Sequence, residues 1–215
     1  RVSKGAMEVL LAMNIKMVSP AAFIERVFDV PVFCQLNTRD YCKHKEGESF
    51  IRSSFYTSPE GYEGDFLKYA QVADVLIAGA YWDPSAPVLF EREDVLKNNF
   101  KIRIIADITC DIQGSIPSTL RSSTIDDPIY DYNPSEDIVE LPLTDEANIT
   151  VMAVDNLPCE LSRDASESFG DELINNVFPY LVGEDILGTI AKATVTEMGS
   201  LSDKYDYLKA YVEGK

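Results

Sequence analysis

Apolar positions along this chain follow two rhythms. Over residues 3–13, SKGAMEVLLAM, Ala6, Val9, Leu10 and Met13 recur at helical spacing. The same period returns near 91–99 and over about 164–182, where Phe169, Leu173, Val177 and Leu181 share one face. GEDILGTIAKATV and DKYDYLKAYVEG predict two further helices, and residues 21–28 and 65–72 two short ones. Between the helices lie continuous apolar runs. VADVLIAGAYW (72–82), KIRIIADITCD (101–111) and NITVMAVD (148–155) predict buried strands, with shorter strands at IKMV and VPVFCQL. The stretch from Asn37 to Gly64 is polar and turn-rich, and 112–148 reads as irregular loop. Apolar strands alternating with helices predict an α/β doubly wound fold with a mostly parallel sheet. The division expected is a nucleotide-binding-type domain over 1–163, with an irregular insertion near 112–148, and C-terminal helices over 164–215.

Such a sheet binds ligands beyond the carboxyl ends of its strands. Three ends here carry chemistry: Ala78-Gly79-Ala80-Tyr81, Asp107 to Asp111, and Asp155-Asn156-Leu157. Small residues admit a planar ring or a ribose. Carboxylates orient a ligand or take a proton, and an Asn beside a free amide matches a carboxamide. An aspartate at a strand end is also a common helix cap or turn former, so the bland reading stays open for each.

Charge and composition narrow the partners. The chain has 215 residues, 46% of them hydrophobic, with 11 Tyr and 10 Phe, enough for a sizeable core. A formal charge of −17 disfavours nucleic acid and anionic membrane as partners. No run approaches the ~20 apolar residues that span a bilayer, and no secretory signal pattern is visible. Cys34, Cys42, Cys110 and Cys159 form no CxxC, and His44 is the lone histidine, so no metal site is expected. Four reduced thiols point to the cytoplasm. The sequon at Asn148–Thr150 is then a chance match.

Several stretches also carry a likeness: RVSKGA, DVLIAGAYWDPSAPVLF, IIADITCDIQGSI with STIDDPIYDY, AVDNLPCELSRDASESFGDEL and SLSDKYDYLKAY. In these, and in their order, the chain resembles the C-terminal half of the alanine dehydrogenase/saccharopine dehydrogenase superfamily, in its lysine-ketoglutarate reductase branch. The resemblance implies a Rossmann-like domain that binds NAD or NADP. It implies hydride transfer at an amino-acid carbon through an imine, with an amino acid or keto acid as substrate.

In the family a Gly-x-Gly precedes the position of Arg1, and an upstream domain supplies a catalytic lysine and histidine. The expectation is therefore a sheet lacking its first strand, inactive alone, whose gap is covered by the N-terminal half or by a second copy, beside 15–18 and 74–78. By the same resemblance Arg1, Val2 and Ser3 lie at the pyrophosphate, and Ala78, Gly79, Ala80 and Tyr81 line the path to nicotinamide. Asp155, Asn156 and Leu157 contact nicotinamide, and Asp111 is the catalytic carboxylate. Ser19 stands where NAD enzymes carry a ribose-binding acid, which leaves NADP open, with Arg26 near a 2′-phosphate.

Two other functions compete. One is a non-catalytic dinucleotide-binding module for regulation or assembly. The other is a transhydrogenase subunit, against which the YDYLKAY tail and DNLPCELSRDAS stretch speak.

Overall fold

The computed structural model describes residues 2–214. The chain divides into two compact units, one ending at Leu157 and the other starting at Pro158.

In the first unit, helix α1 (Val2–Ala12) leads into strand β1 (Lys16–Met17), helix α2 (Pro20–Glu25) and strand β2 (Val32–Phe33). Strands β1 and β2 pair in parallel as a separate two-stranded sheet. The polar stretch that follows is more ordered than its composition suggests. It holds α3 (Thr38–Tyr41), β3 (Cys42–His44), α4 (Arg52–Thr57) and β4 (Tyr62–Gly64), with β3 and β4 antiparallel. Aromatic residues scattered along it cluster in space: Phe50, Phe55 and Tyr62 pack around buried Cys42. His44 meets the Tyr62 ring edge-on at 5.1 Å.

Next come α5 (Leu67–Ala70), β5 (Val75–Ala78), α6 (Arg92–Val95), β6 (Ile104–Asp107), β7 (Ile129–Asn133), β8 (Ile138–Glu140) and β9 (Ile149–Met152). They build a five-stranded sheet in the order β5-β6-β9-β7-β8. Strands β5, β6 and β9 run parallel, while β7 and β8 add an antiparallel hairpin. The architecture is thus α/β with a mixed, mostly parallel, Rossmann-like arrangement.

The hairpin corrects the expectation of irregular loop at 112–148. Pro128 and Pro134 bracket β7, and Asp131 breaks its apolar run, so no strand signal shows in the sequence. In the structure Asp131 is 1% exposed and accepts the Thr150 hydroxyl at 2.7 Å. A carboxylate paired inside the sheet replaces the apolar residue that the pattern requires. The sequon residue Asn148 is buried as well, donating to Glu140 Oε2 at 2.8 Å.

One sheet face is the core. Ile105, Ile149 and Val151 are fully buried there with Tyr130, Phe90 and Ile102. Alternation puts Val75, Ile77 and Ile104 on the opposite face, where they are 50%, 38% and 50% exposed. Burial raises the thiols of Cys34 and Cys42 to about 11 and keeps them protonated, with carboxylates of Asp40 and Asp65 adding to the respective shifts.

Helix α7 (Leu157–Glu160) starts at the last residue of the first unit. The second unit goes on with α8 (Ser162–Asn176), α9 (Phe178–Val182), α10 (Thr189–Ala193), the hairpin β10 (Thr196–Glu197) and β11 (Ser200–Leu201), and α11 (Lys209–Val212). The single helix expected over 164–182 is interrupted at Val177, whose backbone leaves the helical region two residues before Pro179. None of the described residues of this unit is buried, and Phe169 and Leu181 are 65% and 58% exposed. No described helix of the protein is long and apolar enough to cross a membrane.

Candidate functional site at the carboxyl edge of the sheet

Parallel pairing brings the three candidate strand ends to one edge. Ala78 stands opposite Asp107, and Ile108 donates its N–H to the Ala78 carbonyl at 2.9 Å. On the other side the Cys110 thiol donates to the Ala153 carbonyl at 3.2 Å. Burial raises the Cys110 thiol first, and then the carboxylates of Asp155, Asp107 and Asp111 raise it further. The loops after β6 and β9 therefore face each other across this thiol.

The start of α1 joins the same edge. A Cβ placed on Gly79 would lie 2.6 Å from Val2 Cγ1 and 3.5 Å from the Ser3 nitrogen. Only glycine lets the strand end approach the helix this closely. Ser3 belongs to the first turn of α1, so its backbone N–H has no partner within the helix. Such donors, with the helix dipole, suit an anion. The expectation placed on Arg1 lies outside the described residues.

The remaining candidates divide. Ala80, Tyr81, Asp111, Asp155 and Asn156 are exposed at this edge, Tyr81 at 87%. Leu157 is half-buried at the start of α7. Asn156 has a left-handed backbone (φ 55°), as do Cys110 and Gln113 (both φ 52°). Residues held so are uncommon and gather at ligand-facing loops. Ser19 is not part of this group. It follows β1 and caps α2, its hydroxyl accepting the Ala22 N–H at 3.2 Å, with Pro20 opening the helix.

Sequence reasoning overlooked what holds the edge together. Thr119 and Ser123, far along the chain, close it from below: Thr119 bonds Asp107, and the Ser123 hydroxyl accepts the Ala153 N–H at 3.1 Å. Both sit in a stretch read as loop, and no local pattern marks them. Among the described residues no group of three or more His, Cys, Asp or Glu is placed to hold a metal.

A dinucleotide fits this edge in kind. A glycine-permitted contact between a strand end and a helix N-terminus, small residues beside it, and an exposed amide and carboxylates opposite make up that donor set. Fold and edge together define an α/β protein with a Rossmann-like carboxyl-edge site.

The chain is similar to the alpha-aminoadipic semialdehyde synthase of Arabidopsis thaliana, 29% identical over 231 residues, covering 96% of this chain and 22% of that protein. It is also 26% identical to the mitochondrial alpha-aminoadipic semialdehyde synthases of Rattus norvegicus, over 252 residues, and Mus musculus, over 248 residues. Each of those two matches covers 100% of this chain and 26% of the relative. The chain thus spans about a quarter of the length of the curated relatives it matches. No family model matches it.

Proposed function

We propose that this chain is the NAD(P)-binding part of an amino-acid dehydrogenase of the saccharopine dehydrogenase type. The observation that carries the reading is the approach of α1 to Gly79 at the same edge as Asp111 and Asn156. Similarity to alpha-aminoadipic semialdehyde synthases supports the saccharopine side of the family resemblance. The bound dinucleotide would supply or accept a hydride at an amino-acid carbon, through an imine of the substrate.

The chain's own residues then bind and orient. The α1 amides, starting with Ser3, receive the pyrophosphate. Gly79 and Ala80 leave room beside it for ribose and ring. Asn156 offers its amide to the carboxamide, and Asp111 orients the reacting groups or handles a proton. The three strand ends carry neither lysine nor histidine. These residues alone are therefore expected to bind dinucleotide without turning substrate over. Free thiols among the described residues favour a reducing compartment, for which we propose the cytoplasm. The test is titration with NADH and NADPH followed by nicotinamide fluorescence. Saturable binding that Gly79→Val weakens at least about tenfold supports the reading, and no binding of either nucleotide overturns it. Binding without turnover in a longer form that carries the upstream domain would favour the regulatory module instead.

The sheet edges support a partner. Among the described residues, strand β5 ends the five-strand order and β1 pairs with β2 alone, so each has an edge without a strand partner there. Met17 is 51% exposed, and Val75 and Ile77 lie beside the β5 edge. Backbone donors and acceptors left unpaired along an edge cost ~1–3 kcal/mol each once buried. We assign this region to a strand from polypeptide outside these residues, for which relatives about four times longer leave ample material. Light scattering with mass spectrometry is the check. A second peptide bound to the chain supports the assignment. A peptide-free dimer transfers it to a second copy, and a peptide-free monomer removes it.

A further inference from the structure

We propose that Asp107 is the positioning residue of this edge: its buried carboxylate fixes the backbone path that presents Asp111. The proposal rests on the dinucleotide reading for what the loop serves, and on geometry alone for how the loop is held.

Asp107 is 1% exposed, so it does not itself meet a ligand. Its Oδ1 accepts the Thr109 N–H at 3.1 Å, the Thr109 hydroxyl at 2.6 Å and the Cys110 N–H at 3.3 Å. These bonds turn the chain directly after β6. Its Oδ2 accepts the hydroxyl of Thr119, itself fully buried, at 2.8 Å. The Thr119 carbonyl in turn accepts the Gln113 N–H at 3.0 Å. Asp107 and Thr119 thus clamp both ends of the segment that carries Asp111. Within that segment Cys110 and Gln113 keep left-handed backbones, which L-residues hold only where surroundings over-determine them. Asp107 holds Cys110 directly and reaches Gln113 through Thr119, because a buried carboxylate takes several donors at once.

Three substitutions separate the roles. Asp107→Asn keeps Oδ1 as acceptor and offers Nδ2 to the Thr119 hydroxyl, which can accept. Asp107→Ala removes every bond. Thr119→Val keeps Asp107 and cuts only the clamp. Hydrogen exchange by mass spectrometry and NADH titration are run on the intact polypeptide.

For Asp107→Ala the expected result is at least about tenfold faster exchange over 108–114, unchanged protection over 149–152, and NADH affinity at least about tenfold weaker. Asp107→Asn stays within about threefold of the parent on both readouts. If Asp107→Ala leaves 108–114 protected, or loosens it without weakening NADH, the proposal is overturned. If that variant loses protection over 149–152 as well, Thr119→Val decides: local loosening with weaker NADH binding supports the proposal, and no change overturns it. If the parent binds no NADH while the variants loosen 108–114 as stated, the dinucleotide reading fails and the hold of Asp107 on the loop is upheld.

Discussion

On the proposed dehydrogenase reading, Asp111→Asn is expected to lower kcat at least about 100-fold in a longer form that carries the proposed upstream domain, while the fold stays intact. A positioned acid or base contributes about 10²–10⁴-fold to a proton-coupled step, and the isosteric amide cannot ionise. Asp111 is the exposed carboxylate on the β6 loop, next to Cys110, whose thiol donates to the Ala153 carbonyl after β9. Its backbone carbonyl accepts the Gly114 N–H at 2.9 Å, a bond that the substitution leaves in place. Among the described residues none hydrogen-bonds its carboxylate, so stability should change by no more than about 0.5 kcal/mol. The measurement is steady-state turnover with NADH and NADPH against a panel of amino and keto acids, beside thermal unfolding. Near-parental kcat with every substrate that the parent uses would leave Asp111 a loop residue only.

Gly114→Ala gives the second large effect, through the same carboxylate. A Cβ at Gly114 would lie 2.6 Å from Asp111 Cβ and 2.9 Å from its carbonyl oxygen. Real contacts do not come so close, and the neighbour is largely backbone, so residues 111–114 must move. Gly114 is buried, which leaves little room to relax outward. Overpacking of this kind costs about 1–3 kcal/mol. Displacing a reacting group by about 1 Å costs on the order of 10²-fold in rate. A double-mutant cycle checks the route. If Gly114 acts by placing Asp111, then Gly114→Ala combined with Asp111→Asn is no slower than the slower single variant. Additive losses would mean that the glycine supports some other part of the site.

Local sequence determined the frame and the place of the edge. Runs such as VLIA, IIAD and ITVM are apolar and rich in β-branched residues, and each forms a strand, though one face of β5 and β6 is exposed rather than buried as expected. The ends of these runs lie side by side because the three strands are parallel neighbours. The α1 period was likewise legible, because amphipathic spacing acts within a few residues, whereas the capping role of Ser19 shows only in the structure. What the tertiary structure decided is non-local. Asp131 reads as a strand breaker, yet in β7 it is buried and accepts a hydrogen bond from Thr150 on the neighbouring β9. Asp107 reads as one more acid at a strand end until Thr119, distant in sequence, seals it in the core. Gly79 shows its purpose only against Val2 and Ser3. A strand announces itself through its own side chains, but the partner that satisfies a buried polar atom can lie anywhere along the chain, and folding alone selects it.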